Sequence, residues 1–131
     1  MISTIKGTIA ELMVQRSILD MGYFCYTPVV DSGTDLLVEL KNGSMSKVQI
    51  KGVHVLKGTS VEISTEKYMN KNKVDVVAVV LGKEINEHKD MIAYVPYENQ
   101  RSINLALHTG KNNQNKGRNW FYQYDRFPEF S

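Results

Sequence analysis

The 131-residue chain has one cysteine, Cys25, so no disulfide can close within it. Its aromatic setting, Tyr23-Phe24-Cys25-Tyr26, suits a packed strand better than an activated thiol. Long apolar runs are missing as well. The longest, Val74 to Leu81, is broken by Asp75 and falls far short of the roughly 20 residues that a membrane-spanning helix needs. The first residues also lack the basic-then-apolar order of a signal peptide. A cytoplasmic chain with no membrane partner is therefore expected. Metal-ligand spacing of the zinc kind is absent: His54, His88 and His108 stand far apart with no cysteine pair beside them. There is no internal repeat and no low-complexity segment. Strong net charge is lacking too, since +2 permits a polyanionic partner without requiring one.

The chain is large enough, at 42% hydrophobic residues, to bury a core, and residues 1–131 are expected to form a single domain. Its charge is unevenly spread. Residues 1–98 carry 11 Lys and Arg against 12 Asp and Glu, whereas residues 99–131 carry 5 against 2. No acidic residue occurs from Asn99 through Tyr124, where Arg101, Lys111, Lys116 and Arg118 sit among Asn, Gln and Gly. Such a run is either a solvated loop or a surface for nucleic acid.

Hydrophobic spacing near 3.6 at Ile5, Ile9, Leu12 and Leu19, interrupted by Arg16 and stopped by Gly22, predicts an amphipathic helix over Thr4 to Met21. Strands are expected at Tyr23 to Val30, Leu36 to Leu40, Lys47 to Val55, Lys73 to Leu81 and Met91 to Val95. A short helix is expected to begin near Ser64 or Thr65. The predicted class is α/β, a mixed central sheet flanked by helices. Trp120 and Phe121 are expected to anchor the tail in the core.

The link between the second and third strands determines which side chains meet. A two-residue Asn42-Gly43 turn would send Asp35 and Gln49 to opposite faces. A three-residue loop, Lys41-Asn42-Gly43 with Gly43 left-handed, instead sets Leu40 opposite Ser44 and Asp35 opposite Gln49. The three-residue loop is predicted. Asp35, Gln49 and Lys51 then share one face, while Leu36, Val38, Val48 and Ile50 pack on the other.

Those residues, with Glu11 on the helix, suit phosphodiester hydrolysis, which needs an activated water, charge neutralisation and help for the leaving alkoxide. Mg²⁺ takes oxygen ligands and retains several waters. Asp35 is the natural ligand, joined by the Gln49 amide oxygen, the Ile50 carbonyl and Glu11, directly or through water. Lys51 is placed to orient the water and offset negative charge. Each residue also has a structural reading. Thr8-Ile9-Ala10-Glu11 matches a capping box if the helix starts late. Asp35 after Gly33 suits a turn, and Gln49 and Lys51 alternate as in any half-exposed strand. Asp75 could be a further ligand, with a structural contact to the first helix favoured. Glu39, four residues and about 13 Å along the strand from Asp35, is peripheral.

Glu11, Asp35 and Gln49-Ile50-Lys51 resemble the PD-(D/E)xK nuclease superfamily, whose core joins a helical Glu to an Asp-bearing strand and a following strand ending in Lys. Gln49 stands where that pattern usually has an acid, removing one negative charge while keeping a ligand oxygen. The Gln-x-Lys ending, and the segment Lys111-Asn112-Asn113-Gln114-Asn115-Lys116-Gly117-Arg118-Asn119-Trp120, are similar to the group I intron homing endonucleases of this superfamily. The resemblance runs from Gly7 and Glu11 through Tyr94-Val95-Pro96 to Trp120. It implies a restriction-endonuclease-like core and a Mg²⁺-dependent DNA endonuclease, with Mn²⁺ able to substitute. Double-stranded DNA is the implied partner, cut by a homodimer or homotetramer. The archaeal Holliday junction resolvases share the skeleton, and an inactive DNA-binding module of the same fold is the remaining alternative. In DNA recognition, Lys57, Arg101, Lys111, Lys116 and Arg118 would meet phosphates, and Asn112, Asn113 and Gln114 base edges.

Overall fold

A computed structural model describes residues 3–29, 34–54, 60–65, 74–82, 91–107 and 120–129. In chain order these form α1 (Ser3–Asp20), β1 (Cys25–Tyr26), β2 (Leu36–Glu39), β3 (Met45–Val53), β4 (Ser60–Ser64), β5 (Val76–Leu81), β6 (Met91–Pro96), β7 (Ser102–Ala106) and a 3-10 turn at Phe121–Tyr124. Five strands make a sheet in the order β1-β2-β3-β5-β6, and β4 pairs with β7 in a second, two-stranded sheet. The β3–β5 pair is parallel and the other pairs are antiparallel. The fold is thus α/β with a mixed sheet. Among the described residues no helix is long and apolar enough to cross a membrane.

Strand alternation explains the layers. Leu36, Val38, Val48 and Ile50, with Val76, Ala78, Val80 and Tyr94, bury one face of the large sheet against Ala10, Val14 and Ile18 of α1. The opposite face of β5 and β6, formed by Val77, Val79, Leu81, Ala93 and Val95, lies under Val61, Ile63, Ile103 and Leu105 of the second sheet. Every residue of β5 is buried, which accounts for its unbroken apolar run.

Two expectations need correction, and one falls outside the described residues. The helix forms, but Ile5, Ile9, Leu12 and Leu19 are 47%, 37%, 58% and 54% exposed. The sheet takes instead the face of Ala10, Val14 and Ile18, spaced four apart. Second, Ser64 ends β4, and Thr65 is buried with its N–H donating to the Arg101 carbonyl at 2.9 Å. The short helix expected to begin near there falls on residues 66–73, which lie outside the described residues. Third, β7 was not anticipated, although Ile103 and Leu105 alternate with polar neighbours.

The end of the chain returns to the core. Phe121 is buried on the second-sheet side, and Trp120 is only half-buried, bridged to Ala106. Phe127 fills the α1 side, its ring centroid 5.7 Å from that of Tyr23 and 5.6 Å from that of Tyr94. Tyr94 donates to Ser17 Oγ at 2.7 Å, and burial pushes its phenol up to about 12.

Candidate functional site

The β2–β3 hairpin has the predicted register, with Leu36 opposite Val48 and Glu39 opposite Met45. The Leu40 N–H donates to the Ser44 carbonyl at 2.8 Å, and the Gly43 N–H to the Leu40 carbonyl at 2.9 Å. Gly43 has φ +87°, the left-handed backbone that a three-residue hairpin loop requires. Asn42 Oδ1 accepts from both the N–H and the hydroxyl of Ser44, at 2.9 and 2.6 Å.

Hydrogen-bonded pairs in this ladder fall at every second residue, so 40 with 44 implies 36 with 48. The Ile50 N–H must then point toward the space just beyond the start of β2. Asp35 fills that space. Its Oδ2 accepts from the Ile50 N–H at 2.9 Å and from Gln49 Nε2 at 2.8 Å, while its own N–H donates to the Val48 carbonyl at 3.1 Å. A side-chain carboxylate has replaced the next rung of the ladder. Because one residue's N–H and C=O point the same way along a strand, the Ile50 carbonyl faces the same space. Gln49 Oε1 is buried and has no hydrogen-bond partner among the described residues. A buried acceptor in that state costs free energy unless a donor or a cation meets it.

Glu11 approaches from α1. It sits well inside the helix, eight residues past its start, so the capping-box reading fails. Burial raises its carboxyl above the ordinary value of 4.5, and the charge of Asp35 raises it further. The two acids therefore feel one another across the gap between helix and hairpin. Gly52 makes the close approach of α1 legible: a Cβ there would lie 3.8 Å from Ala10 Cβ and 3.3 Å from His54 Nε2. His54, set aside in the sequence reading, thus has its ring on the α1 side of β3, near the helix residue next to Glu11. Its parity with Ile50 and Gly52 was the signal available. Lys51 is half-buried, one step past Ile50 and on the face of Gln49.

Asp75 is bonded to β3 rather than to α1. Its Oδ2 accepts from the Lys47 N–H at 2.8 Å, and its backbone joins Lys47 and Tyr97, so it ties β3 to β5 and the end of β6. Cys25 packs at the edge of the α1-side core, where burial raises its thiol, in keeping with a structural role. Among the described residues no three His, Cys, Asp or Glu side chains gather as a metal cluster. Arg101 is exposed at the β6–β7 link. Lys57, Lys111, Asn112, Asn113, Gln114, Lys116 and Arg118 lie outside the described residues.

A scan against protein-family models found no match, and neither did a search of curated proteins. Among solved structures, the chain is similar to a bacterial homing endonuclease, I-Ssp6803I, with a TM-score of 0.63 and 21% sequence identity. The likeness covers 94% of this chain and 86% of that one. At that identity it is the fold that the two chains share.

Proposed function

We propose that this chain is a metal-dependent DNA endonuclease of the PD-(D/E)xK type, a single-domain homing-type enzyme with Glu11, Asp35, Gln49 and Lys51 at its centre. The observation that carries the reading is the meeting of Asp35, Gln49 and the Ile50 backbone beyond the start of β2; the charge of Asp35 also reaches Glu11 on α1. Likeness of fold to a homing endonuclease supports it.

The donor set fits a hard divalent cation: carboxylate oxygens from Asp35 and Glu11, the Gln49 amide oxygen and the Ile50 carbonyl. The buried Gln49 Oε1 without a partner is the group that such an ion would satisfy. Bound Mg²⁺ or Mn²⁺ would polarise a phosphoryl oxygen and acidify a water. The chain itself does the rest. Two hydrogen bonds fix the Asp35 carboxylate before substrate arrives, so little reorganisation is needed. Lys51 sets an ammonium beside the negative charge that builds on the phosphate. Double-stranded DNA is the substrate of this reading, with Lys57, Arg101 and the Lys111 to Arg118 segment as its contacts and a homodimer or homotetramer as the working form.

Incubation with duplex DNA tests the proposal. Cleavage is expected with Mg²⁺, none with chelator, and none from Asp35→Ala that retains the fold; undiminished cleavage by that variant would reject the site. One observation favours a second reading, an inactive DNA-binding module: the Gln49 amide already donates to Asp35, where an acid would demand a cation. DNA binding without cleavage in either metal would establish that alternative. A preference for four-way junctions over linear duplex would instead mark a junction resolvase.

A further inference from the structure

β3 outruns its neighbour. Its pairing with β2 ends at Leu36 opposite Val48, while its pairing with β5 continues to Val53. Beyond Asp35, the β2 side of β3 therefore meets no strand among the described residues. Successive residues of a strand turn their backbone groups to opposite sides. The Val48 carbonyl and the Ile50 N–H bond to Asp35 on the β2 side, whereas the Lys47 and Val53 carbonyls accept from Asp75 and Gly82 on the β5 side. The Gly52 N–H and carbonyl thus point where those of Ile50 do, two residues farther along. Gly52 is exposed. The His54 ring folds back over it: a Cβ at position 52 would lie 3.3 Å from His54 Nε2, 3.9 Å from Cε1 and 3.8 Å from Ala10 Cβ on α1. Glycine at 52 leaves the imidazole its place, with its Nε2 edge turned back along β3 toward Ile50.

We propose that His54 and the Gly52 N–H form a phosphate-binding pair, which takes the backbone phosphate next to the one at the Asp35 centre. Assigning that phosphate to a DNA strand rests on the nuclease reading. An imidazole N–H and a backbone N–H both donate, and the oxygens of a phosphodiester only accept. Residues two apart on a strand stand about 6.6 Å from one another, a step that suits successive phosphates of one nucleic-acid strand. Asp35 and Glu11 concentrate negative charge at the centre, so a neighbouring phosphate needs donors of its own. The cation centre draws on oxygens alone and leaves the imidazole for this task. Contacts of this kind carry no sequence information; they set the register in which the strand lies across the centre.

NMR spectra of the full chain at constant pH, without metal, test the pair. The His54 ring signal is the one lost in His54→Ala. Inorganic phosphate should move that signal and the Gly52 amide together and saturably, and sodium chloride at equal ionic strength should move neither. A short DNA duplex should shift the same two signals. His54→Ala should keep its far-UV circular dichroism and bind phosphate at least about tenfold more weakly, the loss of one hydrogen bond to a charged group. His54→Gln keeps a side-chain donor and should bind phosphate more tightly than His54→Ala, a difference that a merely packed ring would not produce. A wild-type His54 signal unmoved by phosphate, equal shifts in sodium chloride, or undiminished phosphate affinity in His54→Ala would overturn the inference. Phosphate and duplex shifts in a protein that cuts no DNA would leave the pair standing and reject the nuclease reading. Cleavage by a protein whose His54 signal stays still would do the reverse.

Discussion

Asp35 does two things at once: it completes the backbone pairing of Ile50 and it orients Gln49. That contact was legible in the sequence because hairpin parity, set by Gly43 and the three-residue loop, determines which side chains meet. The bond from the Ile50 N–H was not, since a backbone donor leaves no trace in residue type. Glu11 carries the pH dependence at this scale. Its folded carboxyl holds a proton more tightly than the unfolded one, so ionising it works against the fold. Stability from this group is complete below about pH 4.5 and declines as pH rises through the raised folded value, levelling above it. Glu11→Gln should therefore melt above wild type near neutral pH, with the difference shrinking below pH 4.5, as thermal denaturation across pH would record.

Among the elements, α1 separates what periodicity can tell from what packing decides. The helix bears two apolar stripes, Ile5-Ile9-Leu12-Leu19 and Ala10-Val14-Ile18, and the longer, more hydrophobic one was the natural choice for the core. The structure buries the other. Ile18→Ala should cost about 2–5 kcal/mol of unfolding free energy, whereas Leu12→Ala should change that of the monomer by no more than about 0.5 kcal/mol. Denaturant melts of the two variants at low protein concentration would reverse that order if the first stripe were the buried one. The second sheet was missed for a different reason. β4 finds its partner in β7, about forty residues further along, with Ser60 opposite Ala106 and Ser64 opposite Ser102. Pairing over that separation has no local signature, and the Ile103-Asn104-Leu105 alternation lay in a stretch read for its charge.

At the scale of the whole molecule, the chain end locks the α1 layer. Phe127 is buried against Tyr23 and Tyr94. Phe127→Ala should destabilise the protein by about 3–5 kcal/mol in chemical denaturation, far more than a loosely attached tail would allow. The same layer sets α1, which carries Glu11, over one face of β3, and the proposed centre would draw its oxygens from α1, the residue preceding β2, and β3. Calorimetric titration of Mg²⁺ into wild type and into Asp35→Asn measures that claim most directly. Wild type should take up the ion with a saturable heat that Asp35→Asn lacks while keeping its fold. Equal binding by both proteins, or none by wild type, would contradict a cation centre at the end of this hairpin.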